Sequence, residues 1–166
     1  MHELHLSAQD KAARYREVLP QIAAVIADET DLTANLANTA AVLKEAFGWL
    51  WVGFYLAEPS GGELVLAPFQ GPLACTRIPY GRGVCGHAWA GEKTIVVPNV
   101  DEYPGHIACS SRSRSEIVIP LFSGGRCVGV LDIDDIEYAR FDNTDALYLE
   151  QLAQMLGVLF AAQKNV

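Results

Sequence analysis

The feature that most constrains this chain is a pair of β-type runs, residues 115–122 and 126–134, separated only by Ser123-Gly124-Gly125. Apolar residues dominate both runs, and a glycine between them can supply the left-handed conformation that a tight reversal needs. The segment predicts an antiparallel hairpin. Residues 49–56 add a strand with two faces, Trp49, Trp51, Gly53 and Tyr55 against Leu50, Val52, Phe54 and Leu56. Shorter strands are expected over residues 63–67, after the turn Pro59-Ser60-Gly61-Gly62, and over 74–79 and 94–97. Helical periodicity marks residues 10–27, where Pro20 predicts a kink or break near Leu19. Thr30-Asp31 caps a helix over 32–47 that Gly48 ends, and a short helix follows Gly83. Asp142-Asn143-Thr144 caps a closing helix to about Gln163. Helices, then short strands, then a helix give an α+β fold: a single domain over 1–166, with a central antiparallel sheet of about six strands and the N- and C-terminal helices on one face. Alternating βαβ units are absent, which argues against a doubly wound sheet.

The chain has 166 residues, 51% of them hydrophobic, and a net charge of −8. That length buries a real core, and that charge repels phosphate backbones and anionic lipid, so neither nucleic acid nor a membrane surface is an expected partner. Nothing near the amino terminus reads as a signal peptide and no apolar run approaches a membrane span of roughly 18 residues. The expected location is the cytoplasm. There a permanent framework among Cys75, Cys85, Cys109 and Cys127 is not expected, and metal-type spacing is confined to the weak His106-Ile107-Ala108-Cys109. What remains is inert thiols or redox chemistry.

Gly81-Arg82-Gly83-Val84-Cys85-Gly86 matches the dinucleotide pattern G-x-G-x-x-G, with Asp101 near the acidic position. A parallel βαβ unit is needed around it, and Pro98 breaks the strand that would complete one. A tight turn and close backbone approach at a pocket wall is the better use of these glycines. The loop puts Cys85 in the first turn of a helix, where free amides and the helix dipole favour a thiolate. Cys109 sits in Gly105-His106-Ile107-Ala108-Cys109-Ser110-Ser111-Arg112-Ser113-Arg114-Ser115, poor core material with two arginines, and so is expected to be reachable and activated as a nucleophile; an idle loop thiol is the alternative. Cys75 also stands at a loop edge. Cys127 shares parity with Gly129, Leu131 and Ile133 and reads as a core hydrophobe.

Asp132 and Asp134 share a strand face with Val128 and Val130. A three-residue hairpin loop sets Glu116 opposite Asp132, whereas a two-residue loop would turn Glu116 to the other face. The former crowds three carboxylates into one patch. Such a patch can hold an ammonium group and keep a proton on one member, or it can bind magnesium or calcium; a solvated strand end is the plain alternative.

Together Gly71-Pro72-Leu73-Ala74-Cys75, Ile78-Pro79-Tyr80-Gly81-Arg82-Gly83-Val84-Cys85-Gly86, Gly105-His106-Ile107-Ala108-Cys109, Ser115-Glu116-Ile117-Val118 and Gly129-Val130-Leu131-Asp132-Ile133-Asp134 resemble the free methionine-(R)-sulfoxide reductases, single-domain enzymes with the GAF fold. The resemblance runs from the first helix to the last and is densest between Trp51 and Asp134. It implies thiol-dependent reduction of free methionine sulfoxide through a cysteine sulfenic acid and an intramolecular disulfide. Cys109 matches the catalytic cysteine, Cys75 the resolving one, and Cys85 a third that shares in disulfide relay. Glu116, Asp132 and Asp134 match acidic residues lining the substrate pocket, and Trp51 and Tyr55 its aromatic wall. Cys127 falls outside the three-cysteine pattern. The implied partners are the free sulfoxide and a thioredoxin-type reductant; the resemblance also implies a homodimer and involves no metal or other cofactor. A GAF module that binds a ligand or senses redox state without catalysis is the alternative.

Overall fold

A computed structural model describes residues 3–162. Helices α1 (Lys11–Ile26) and α2 (Leu32–Phe47) begin on side-chain caps, Asp10 accepting from the Ala13 amide and Asp31 from that of Ala34. Gly48 ends α2 at φ 69°, a left-handed value that suits a residue with no side chain. Of the expected kink or break at Pro20, a break does not occur: α1 is continuous through it. Pro20 faces solvent, so water can satisfy the carbonyl one turn back that loses its amide partner. The chain continues through β1 (Trp51–Ala57), β2 (Glu63–Gln70), β3 (Arg77–Pro79), α3 (Gly83–Gly91), β4 (Ile95–Val97), a 3-10 turn (Val100–Glu102), β5 (Ser115–Ser123), β6 (Arg126–Asp135) and α4 (Asn143–Ala162). Asp142 caps α4 by accepting from the Thr144 amide at 2.8 Å. The expected end at Gln163 lies outside the described residues. None of the described helices is long and apolar enough to cross a membrane.

The six strands form one sheet in the order β3-β2-β1-β6-β5-β4, with every pair antiparallel. Strands β3 and β4 flank α3 in sequence but lie at opposite edges, so the parallel unit a dinucleotide fingerprint needs is not formed. Strand β2 runs past Pro68, and its register against β1 shifts between Gly53 and Tyr55, where a residue without an amide can be tolerated. Strand β3 is shorter than expected because Ala74 and Cys75 leave the sheet edge.

Two apolar layers cover the sheet. On one face α1, α2 and α4 bury Val52, Phe54, Ile117, Ile119, Leu131 and Ile133. Trp49, just before β1, belongs to this layer and not, as its parity suggested, with Trp51. Asp145, almost fully buried, links α4 to α1 by accepting from Tyr15 Oη at 2.7 Å and from Lys11 Nζ at 2.6 Å. On the other face α3 covers Trp51, Tyr55, Val118 and Val130.

The hairpin differs from expectation in an instructive way. Ser123 pairs with Arg126, so only Gly124 and Gly125 form the loop. A bulge follows: Phe122 pairs with Cys127 but Leu121 with Gly129, leaving Val128 as the extra residue. Loop and bulge together set Glu116 opposite Asp134, with Val118 opposite Asp132. The expected pairing of Glu116 with Asp132 is therefore wrong by two residues, while the face is right because a two-residue error conserves parity. The bulge also moves Val128 into the layer under the terminal helices and Cys127 onto the α3 face. Cys127 is half-buried there, not a core residue beside Leu131.

A Cβ at Gly157 in α4 would strike the carbonyl oxygen of Phe122 in β5. Gly157→Ala should gain about 1 kcal/mol of helix propensity yet lower stability by about 1–3 kcal/mol net, because two backbones would have to separate. A lowered midpoint in urea unfolding is the expected result; an unchanged or raised midpoint would show that α4 and β5 are not in backbone contact.

Candidate active site

Pleat alternation aims one side-chain set of β1, β5 and β6 at α3. From β1 come Trp51 and Tyr55, from β5 Glu116, and from β6 Asp132 and Asp134. The first turn of α3 adds Cys85, and the loop between the 3-10 turn and β5 adds His106 and Cys109. These side chains line a cavity with about 30 Å³ of free volume, room for about two waters. Cys75 reaches it through a disulfide with Cys109, Cα atoms 5.3 Å apart. All eight residues selected from sequence thus converge on one site. Tyr55 does more than form a wall: its hydroxyl donates to the Cys75 carbonyl at 2.8 Å and so holds the loop bearing that cysteine.

Glycines make the pocket possible. A Cβ at Gly53 would collide with the Trp51 ring, and one at Gly71 would lie 2.7 Å from Trp51 Cδ1. The glycines of the 81–86 loop also serve packing: a Cβ at Gly83, where φ is 63°, would press on Ile107 at 3.0 Å.

The electrostatics follow from crowding acids in an apolar site. Burial pushes the carboxyls of Glu116, Asp132 and Asp134 well above the usual range, and the charges of Asp134, Glu116 and Asp132, respectively, push in the same direction. Burial, with the same three acids, pushes the Cys85 thiol up as well. The expectation of a Cys85 thiolate is thereby reversed, because the dipole of a short helix does not offset full desolvation beside three carboxyls. Cys85, Glu116 and Asp132 each place a potential ligand atom within 4.8 Å of the others. Holding a cation there would require these groups deprotonated, against the burial that raises all three, while a bound cation's own charge would act in the opposite direction. Among the described residues, Asp132 Oδ1 and Trp51 Nε1 are buried without a hydrogen-bond partner. An unpaired buried acceptor and donor are what a polar ligand would satisfy.

The sequence marks His106 only as part of a weak metal-type spacing with Cys109. Its Nε2 lies 3.2 Å from Glu116 Oε2, and burial holds the imidazole below its ordinary value. Its position three residues before Cys109 was the available signal. Ser113, buried at the pocket edge and hydrogen-bonded to Asp134, was also missed; in a run of serines nothing distinguished it.

Carboxyls with raised values bind more protons in the folded chain than in the unfolded one. Stability should therefore fall as pH rises above the unfolded carboxyl values of 3.8 and 4.5. Urea midpoints measured from about pH 5 to about pH 8 should decline, and Glu116→Gln should flatten that decline. Identical slopes in the two proteins would mean that Glu116 is not held protonated.

The GAF domain family model matches residues 31–160. GAF domain-containing protein A of Dictyostelium discoideum is 53% identical over 93% of this chain and 97% of its own length. The free methionine-R-sulfoxide reductase of Escherichia coli is 44% identical over 92% of each chain. An X-ray structure of the free methionine-R-sulfoxide reductase of Neisseria meningitidis in complex with its substrate superposes with a TM-score of 0.97, at 71% identity over 99% of this chain and 98% of that one. By fold, by the residues that meet in its pocket and by these likenesses, the chain belongs to the free methionine-(R)-sulfoxide reductase family of GAF-domain proteins.

Proposed function

We propose that this chain reduces free L-methionine-(R)-sulfoxide to methionine. The observation that carries the reading is the Cys75–Cys109 disulfide at the mouth of a pocket whose floor is a cluster of buried, proton-holding carboxyls. The disulfide form corresponds to the state after methionine has left. In the reduced form the Cys109 thiolate attacks the electrophilic sulfur of the sulfoxide. The sulfoxide oxygen takes a proton from a carboxylic acid among Glu116, Asp132 and Asp134. The protonated oxygen then passes from the substrate sulfur to the Cys109 sulfur as the bond between the two sulfurs breaks, so methionine departs and Cys109 is left as sulfenic acid. The Cys75 thiol displaces water from it to close the disulfide, and Cys85 is the third thiol that can share in this relay. A thioredoxin-type dithiol then attacks the disulfide and carries away two electrons' worth of oxidation.

Recognition follows from the same groups. The substrate's ammonium neutralises the carboxylates that remain ionised, and Trp51 and Tyr55 pack on the methyl end. A peptide-bound methionine sulfoxide has no ammonium to offer, so the free amino acid is preferred. The reading includes a single domain over residues 1–166, in line with the GAF match to residues 31–160, action in the cytoplasm, taken from the sequence, and a homodimer, taken from the family resemblance.

Racemic free methionine sulfoxide, dithiothreitol and chromatography that resolves the sulfur epimers test the reaction. The R epimer should disappear and the S epimer persist; loss of neither, with thiols shown reduced, would leave a ligand-binding module as the better account. Prereduced Cys109→Ser should form no methionine. Prereduced Cys75→Ser, without added reductant, should release about one methionine per chain and leave a sulfenic acid that a dimedone-type probe labels. Equal turnover of a peptide-bound sulfoxide would remove the ammonium argument.

A further inference from the structure

The proposed reaction leaves one requirement open. Glu116 lies on the pocket floor, and its side chain is only 7% exposed. Once a carboxyl of this cluster has given its proton to the sulfoxide oxygen, the next turnover needs that proton back. The neighbours of Glu116 on the sheet are Asp134, paired across from it on β6, and Asp132 on the same strand; Cys85 faces it from α3. Asp132 and Cys85 are buried away from solvent, and Asp134, half-buried, has its carboxyl held well above the usual range by burial and the charge of Asp132, so it gives up its proton poorly. His106 is different. It sits on a loop, its side chain is 14% exposed, and its Nε2 is 3.2 Å from Glu116 Oε2. Its backbone amide donates to the Tyr103 carbonyl at 3.1 Å, which fixes where the ring starts from.

Resting on the reading above, we infer that His106 is the positioning residue for Glu116 and the route by which that carboxyl regains its proton between turnovers. An imidazole can accept a proton at one nitrogen and release one from the other, and its ordinary value lies close to neutral pH. The balance closes over one cycle. Glu116 gives one proton to the oxygen that becomes the sulfenic hydroxyl on Cys109. When the dithiol regenerates Cys109 and the thiol ionises, one proton is released to solvent. His106 takes up one from solvent and passes it to the Glu116 carboxylate. No oxidant or metal enters the step. The titratable groups around His106 are compatible with this role: Glu116 from β5 at hydrogen-bond distance, Asp101 from the 3-10 turn acting on its charge, and Cys85, Cys109, Asp132 and Asp134 lining the same pocket. Burial keeps the ring neutral at pH 7, and Asp101 only partly opposes that effect. The ring therefore has a free nitrogen for an incoming proton.

Three variants separate this role from a structural one. Glutamine at position 106 can still donate an amide hydrogen to Glu116 but cannot carry a proton. Prereduced His106→Gln should therefore complete its first turnover at nearly the unsubstituted rate, because Glu116 is protonated at rest. Its steady-state kcat at saturating dithiothreitol should fall about tenfold or more, with KM within about twofold, and the inflection of kcat below pH 6.5 should disappear. His106→Ala should lose kcat similarly and recover much of it with added imidazole, while His106→Phe should not recover. An unchanged kcat and pH profile in His106→Gln would overturn the inference. So would a first turnover slowed as much as the steady state, or a loss confined to KM, since each means His106 only shapes the pocket. If the unsubstituted chain itself left the R epimer untouched, the proposed reaction would fall and this step with it. Normal turnover there with an indifferent His106→Gln would discard this step alone.

Discussion

The β5–β6 ladder is the constraint on which the rest of the structure depends. It joins two inner strands of the sheet, carries all three pocket carboxyls, and lies between the two apolar layers. Its register decides which layer each side chain enters. A two-residue loop alone would have turned Glu116 toward the helices α1, α2 and α4, where a carboxyl has no partner. The extra residue at Val128 restores the parity and directs Glu116, Asp132 and Asp134 together toward α3. One inserted residue therefore makes the difference between a disrupted core and a reactive pocket.

Placing those acids there opposes folding. A buried carboxyl loses hydration, and neighbouring carboxyls repel once ionised; the chain responds by retaining protons. The unpaired Asp132 Oδ1 and Trp51 Nε1 add further loss, since each forgoes a hydrogen bond that water would supply. The compensating burial lies on the opposite face, where α1, α2 and α4 enclose an almost wholly apolar layer. Stability and reactivity are divided between the faces of a single sheet. That division explains why the helices contribute no side chain to the site except through the short α3.

Much of this could be read in the sequence, and the limits have identifiable causes. The six strands, the flanking helices and their caps follow from local periodicity and turn chemistry, which depend only on near neighbours in the chain. The shared face of Trp51 and Tyr55 and that of Asp132 and Asp134 follow from the period of two. The partner of Glu116 did not, because a bulge leaves no mark that composition can show; Val128 looks like any other strand residue. The same bulge displaced Cys127. Whether Pro20 would break α1 was not legible, since that depends on whether the freed carbonyl meets solvent, a tertiary fact. Cys85 was misjudged for a related reason: its helix position was legible, but the three carboxyls around it come from strands far along the chain. His106 was visible as a neighbour of Cys109, yet its role depends on a 3.2 Å approach to Glu116 that only the folded loop creates.

Those loops also bind the redox state to the pocket floor. Tyr55 on β1 holds the Cys75 carbonyl, Cys75 is bonded to Cys109, and three residues before Cys109 the His106 ring meets Glu116 on β5. The path begins and ends on the sheet and passes through the disulfide. Opening that bond removes the cross-link between the two loops and leaves each tied to the sheet along this path by one side-chain hydrogen bond. On chain-entropy grounds, a bridge between cysteines 34 residues apart favours the folded chain by about 4 kcal/mol. A disulfide that opens in every cycle cannot be what keeps the domain folded. The two apolar layers must hold the reduced chain unaided, and the freedom gained on reduction is confined to the loops over the pocket, where a substrate must enter.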